Sequence, residues 1–152
     1  SVNMHQDAID DYEAAIKLME ANRDKADPEE FKEEYSGLLN NLSWVMSTSP
    51  KDELRDGKRA LELALKACEA TDYKAPHILS TLAAAYAETG DFENARKWAS
   101  KAVELGKEQQ HDQTEQLEKE LKSYKEDKPW REKQEIEENE KPLVVPSDSI
   151  DT

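Results

Sequence analysis

Asp91 to Leu105 reads DFENARKWASKAVEL, and thirty-five positions upstream Asp56 to Ala70 reads DGKRALELALKACEA. Laid over one another, the two segments share Asp56/Asp91, Ala60/Ala95, Ala64/Ala99, Lys66/Lys101, Ala67/Ala102 and Glu69/Glu104. Self-similarity at a fixed period of this length marks a repeat architecture, in which one supersecondary unit is copied along the chain. The shared alanines fall at i, i+4 and i+7, a single stripe on a helix, and small side chains there let a second helix approach closely. Leu63, Leu82, Tyr86 and Trp98 then fill the holes beside the stripe.

Working outward, Leu38 to Met46 (LLNNLSWVM) lies over Ile78 to Tyr86 (ILSTLAAAY) at an offset of 40 rather than 35, so the first copy carries five extra residues around Pro50 to Arg55. That places the insertion in an interhelix loop. Asp11 to Ala15 (DYEAA) echoes Asp91 to Ala95 (DFENA) as half a repeat. Turn chemistry agrees: Thr89-Gly90-Asp91 supplies a glycine for a left-handed helix end and an aspartate to cap the next helix, and Pro76 suits a first helical turn. The spacing predicts helices near 5–22, 28–47, 53–71, 76–89, 91–106 and 108–126. Repeats that cannot close a core alone need caps. Ile9, Tyr12, Ile16 and Met19 suit the first helix to that role, as Leu117, Leu121 and Tyr124 suit the last.

Pro76 to Leu105 resembles a complete tetratricopeptide (TPR) motif, with Leu79, Leu82, Ala83 and Tyr86 on its first helix and Gly90, Asp91, Phe92, Ala95, Trp98, Ala99 and Ala102 in the turn and second helix. The Leu38 to Ala70 copy departs through its loop, through Met46 in place of an aromatic and through Gly57 in place of Phe or Tyr. It is similar to a bacterial TPR variant with a long Ser-Pro…Leu-Arg-Asp-Gly loop, here Ser49-Pro50 and Leu54 to Gly57, and Lys128 to Glu132 (KPWRE) resembles the segment after that variant's last repeat.

The resemblance implies an all-α, TPR-like right-handed α-solenoid of helix-turn-helix repeats over residues 1–126. Its motifs lie at about 38–70 and 76–106, its caps at about 5–22 and 108–126, and 127–152 form an acidic, flexible tail. It also implies a non-enzymatic protein-interaction module whose first helices line a concave peptide groove. The positions that carry over are Asn40, Asn41 and Trp44 in the first motif, and His77, Ser80, Thr81 and Ala84 in the second. An asparagine such as Asn41 offers donor and acceptor together, so it holds an extended backbone without choosing its side chains. The second motif lacks the Lys or Arg with which some TPR grooves clamp a terminal carboxylate. The alternative is an assembly element that self-associates or stacks within a larger TPR protein.

Composition narrows the partners. The 152 residues hold 21 Lys plus Arg against 35 Asp plus Glu, a formal charge of -14, which repels phosphate backbones and argues against nucleic acid. A neutral or basic protein segment fits better. No run approaches the roughly 18 apolar residues of a membrane span. A soluble chain is expected, cytoplasmic or exported after loss of a signal peptide.

Catalysis has no carrier in the pattern. His5, His77 and His111 fall on three separate predicted helices with no His or Cys at ligand spacing, so no metal is expected. The lone Cys68 reads as a buried core thiol, no nucleophile elbow occurs, and Gly57-Lys58 lacks the rest of a phosphate loop. Asp52 to Gly57 fails as a calcium loop because Leu54 replaces a ligand. No catalytic residue and no cofactor are expected. In the tail, Leu143-Val144-Val145 is an apolar run that could lie in a groove of its own or a neighbouring molecule.

Overall fold

The computed structural model describes residues 2–131, with side chains from residue 6 onward. Among the described residues six α-helices succeed one another: α1 (Val2–Ala21), α2 (Pro28–Thr48), α3 (Gly57–Ala70), α4 (Pro76–Glu88), α5 (Phe92–Glu108) and α6 (Thr114–Lys125). Among the described residues there is no strand, and no helix is long and apolar enough to cross a membrane.

Four of the starts have a local cause. Asp27, Asp56 and Asp91 each accept the backbone N–H three residues on, at 3.1 Å from Glu30, Arg59 and Asn94, and so satisfy one orphan donor of α2, α3 and α5. Pro28 and Pro76 occupy the first turns of α2 and α4, where their missing N–H costs nothing.

The ends share one device. In α3, α4, α5 and α6 the residue after the C-cap has positive φ: Asp72, Gly90, Gln110 and Asp127. The next N–H then reaches back five residues, as Tyr73 to the Cys68 carbonyl (2.9 Å), Asp91 to Tyr86 (3.0 Å), His111 to Gly106 (2.8 Å) and Lys128 to Ser123 (3.0 Å). These are Schellman ends, and only α4 uses the glycine that relieves the left-handed strain. The Gln110 turn also moves the last helix. The spacing predicts a start near 108, but α5 runs on to Glu108 and α6 starts at Thr114.

Each helix packs on its neighbours in sequence, and α2 also packs on α4 and α4 on α6. Ala60, Ala64 and Ala67 are sealed, as are Ala95, Ala99 and Ala102, so the shared stripe is the seam on which the helices close. Ile9 and Ile16 are buried with Tyr12 and Met19 packed beside them, while Leu117 and Tyr124 are buried with Leu121 alongside. Across the seams, Ser43 Oγ donates to the Ala60 carbonyl at 2.7 Å, and the Cys68 thiol faces the Ile78 carbonyl at 4.0 Å. Burial pushes that thiol up to about 12, with Glu69 adding to the rise.

Two segments expected outside the packed helices, an interhelix loop and the start of a flexible tail, are built in. In the insertion, Asp52–Leu54 forms one 3₁₀ turn where the helix expected from 53 would begin, and α3 itself starts only at Gly57 after the Asp56 cap. Leu54 is only 4% exposed, Asp56 N–H donates to the Met46 carbonyl at 2.9 Å, and Arg55 donates to the Ser49 carbonyl and to Asp52 and Glu88. At the other end, residues 127–131, expected as the start of the tail, fold back on the helices. Arg131 donates to the Ser47 carbonyl at 3.1 Å and pairs with Glu88 at 2.8 Å, joining the ends of α2 and α4. Trp130 packs beside Ala83, Ala87, Ala95, Ala99 and Tyr124. Leu143-Val144-Val145 lies outside the described residues.

Candidate functional site

Three helices, α2, α4 and α6, share one wall of the molecule, and a cavity of about 440 Å³ opens there. Asn40, Asn41, Trp44 and Val45 line it from α2, and His77, Ser80 and Thr81 from α4. Gln116, Leu117 and Glu120 come from α6, His111 and Gln113 from the turn before it, and Tyr12 from α1. Six of the seven residues carried over from the TPR groove are thus brought together. The seventh, Ala84, is not among them. It is 2% exposed and sits one turn before Glu88, where Arg131 closes that end of the face.

The six do not offer themselves equally. Asn41 and His77 are exposed, and Asn40 and Trp44 half-buried. Asn40 Oδ1 is buried and accepts no hydrogen bond. Thr81 turns its hydroxyl onto the His77 carbonyl one turn back, at 3.1 Å, and is nearly sealed. Ser80 Oγ donates to Glu120 Oε1 at 2.5 Å, so its hydroxyl positions a carboxylate instead of waiting for a ligand. Gln116 Nε2 holds the other oxygen at 3.0 Å. Glu120 is 2% exposed in the only buried acidic position among the described residues, and neutral donors on two helices fix where its charge lies.

The histidines also depart from expectation. His111 lies in the turn before α6, and its ring stacks on His77 with centroids 6.3 Å apart. Desolvation, and then the neighbouring His111, hold the His77 imidazole below its ordinary range, so at neutral pH it presents an uncharged ring. His111 Nδ1 accepts the Gln113 N–H at 3.2 Å. No group of three or more His, Cys, Asp or Glu gathers as a metal-ligand set among the described residues, and the side chain of His5 is outside them.

A larger cavity, about 780 Å³, lies by Glu20, Arg23, Phe31, Tyr35 and Lys66. Its groups are engaged with one another. The Arg23 guanidinium covers the Phe31 ring at 4.6 Å and the Tyr35 ring at 5.4 Å, and the Tyr35 hydroxyl donates to Glu20 at 2.5 Å. Burial first, then that carboxylate, push the phenol up to about 12. The smaller cavity has the better claim as a site, because only it combines an acceptor with no hydrogen-bond partner and exposed polar groups from successive helices.

The chain matches no family model, no curated protein and no solved structure.

Proposed function

We propose that the chain is a TPR-like right-handed α-solenoid, capped by α1 and α6, that acts without catalysis as a protein-interaction module and holds an extended partner segment in the cavity between α2, α4 and α6. The observation that carries this reading is the convergence of Asn40, Asn41, Trp44 and His77, on helices separated in the chain by α3, on one cavity. Packing of α2 on α4 and of α4 on α6 supports a staggered row of first helices. Thr81 bonds within its own helix and Ser80 bonds across to α6, which supports a wall shaped before the ligand arrives. A site formed in advance leaves the ordering cost with the ligand. Stacking of copies is the weaker reading, since Leu18, 65% exposed, is the one large apolar side chain well exposed among the described residues.

Partners captured on the immobilised chain from a lysate of the source organism, identified by mass spectrometry, test the proposal. Asn41→Ala with Trp44→Ala should lose them while keeping a cooperative thermal transition. Undiminished capture by the folded double variant refutes the groove.

A further inference from the structure

We infer that the groove continues past its cavity into a site for a short aromatic–arginine segment, held in the free chain by Trp130 and Arg131 and open to the same pair from a partner. The inference rests on the groove reading and gives the partner a chemistry. All three walls run one turn beyond the cavity: Trp44 on α2 is followed by Ser47, Ser80 on α4 by Ala84, and Glu120 on α6 by Tyr124. Ser47, Ala84 and Tyr124 are sealed. Seated at that turn is a strap, residues 128–131, with no regular secondary structure. Arg131 donates to the Ser47 carbonyl at 3.1 Å and pairs with Glu88 at 2.8 Å, while Trp130 packs against Tyr124 and the alanines of α4 and α5. An aromatic set on small residues, beside an arginine in a charge-assisted pair, is how anchor residues of a bound peptide are held.

Three observations make the seat exchangeable. The base of the strap is fastened separately, Asp127 to Arg96 at 2.8 Å and the Lys128 N–H to the Ser123 carbonyl at 3.0 Å, so Trp130 and Arg131 can leave without unwinding α6. Glu88 also pairs with Arg55 at 3.2 Å, so the departing Arg131 leaves no bare carboxylate. The fit is also incomplete, because Ser47 Oγ and the Tyr124 hydroxyl are buried with no hydrogen-bond partner. A segment arriving from the cavity brings backbone groups that satisfy them.

Other chemistries fit less well. An acidic side chain in the place of Arg131 would meet Glu88 and the field of a chain whose formal charge is -14. A small one in the place of Trp130 would leave the alanine surface in water.

The test uses the capped peptide Ac-Asp-Lys-Pro-Trp-Arg-NH2, the strap's own sequence, and Ac-Asp-Lys-Pro-Ala-Ala-NH2. Each is titrated by NMR into the ¹⁵N-labelled full chain and into its Trp130→Ala, Arg131→Ala variant. In the variant the Trp-Arg peptide should shift the Ser47, Ala84 and Glu88 amides and bind about tenfold or more tighter than the alanine peptide. The wild-type chain should need about tenfold more of it, since the tethered strap competes at high effective concentration, and the Trp130 indole signal should move as the strap is displaced. Should the variant fail to fold, the wild-type titration still decides, through the Trp130 indole and the preference between peptides. Equal affinity for the two peptides, or a Trp130 signal that stays put while the Trp-Arg peptide saturates those amides, overturns the inference. Silence of the three amides toward both peptides overturns it too, and leaves the groove to be judged by capture on Asn41→Ala with Trp44→Ala.

Discussion

Between α2 and α3 the chain takes eight residues, Ser49 to Asp56, to turn its corner, whereas between α4 and α5 it takes three, Thr89 to Asp91. The short corner is local: Gly90 supplies the left-handed residue and Asp91 the cap. The long corner is built against its neighbours, with Leu54 inserted in the core and Arg55 bonded to Glu88 at the end of α4. Position 57 shows why the copies differ. A Cβ on Gly57 would stand 3.1 Å from the Glu88 backbone and 3.2 Å from the Thr89 side chain, so the glycine where the TPR pattern has an aromatic lets the first corner press on the next hairpin. Its counterpart Phe92 has no later corner to accommodate, and packs toward the smaller alanine-lined cluster that also holds Tyr124 and borders Trp130. An insertion that looks like slack is thus the coupling between repeats.

Exchanging the two residues tests that contrast most severely. Gly57→Phe should destabilise the fold by about 3 kcal/mol, the upper end for overpacking against backbone that cannot yield, as measured by urea unfolding. Phe92→Gly should cost about half as much through lost apolar burial. Comparable losses at both positions would break the comparison.

Next in size is the shared carboxylate. Glu88 pairs with Arg55 at 3.2 Å and Arg131 at 2.8 Å while only 16% of its side chain is exposed. Glu88→Gln should lose about 2 kcal/mol, below the full penalty for a deeply buried pair because Arg55 keeps Asp52 and the Ser49 carbonyl. Hydrogen exchange at residues 128–131 should quicken in the variant.

The left-handed ends give a matched pair of opposite sign. Nothing lies within 4 Å of a Cβ placed on Gly90, so Gly90→Ala should cost about 1 kcal/mol from its φ alone. Gln110→Gly, at the equivalent place in α5, should gain about 0.5 kcal/mol, the relieved strain being partly offset by glycine's freedom when unfolded. Thermal midpoints shifting in opposite directions are the readout.

The smallest expected effect separates the open walls of the two repeats. The first carries Gly37 where the second, at the offset of 40, carries His77. Because desolvation and His111 lower the His77 pKa on folding, the unfolded chain binds the extra proton first. Its contribution is present above the ordinary histidine value of about 6.5 and is lost as pH falls through the folded value. Unfolding monitored from pH 7.5 down to 5 should show a slope that His77→Gln reduces.

Legibility tracked the physics of each feature. The alanine stripe and the Asp91 cap can be read because a residue and its role lie within one helical turn. Schellman ends at Asp72, Gln110 and Asp127 cannot, since nothing in those residue types demands a left-handed conformation, and the spacing misplaces α6 in consequence. On the site, the α2 and α4 residues come from one repeat pattern applied twice, but the pattern gives α6 only the role of a cap. Glu120 is hidden among 35 acidic residues. A signal exists: Leu117, Glu120, Leu121 and Tyr124 fall at i, i+3, i+4 and i+7, so Glu120 is the one charge on that apolar stripe. The pairing of His77 with His111 joins residues nearly one sequence period apart, and the spacing that sets them on separate helices gives no sign of it.

Cys68, sealed where α3 meets α4, turns the molecule into its own stopwatch. Its thiolate is the nucleophile, and with the pKa pushed up to about 12 alkylation in the folded chain waits for the two hairpins to part. The rate at which iodoacetamide consumes that single sulfur therefore counts separations of one repeat from the next, and it does so without any label being introduced.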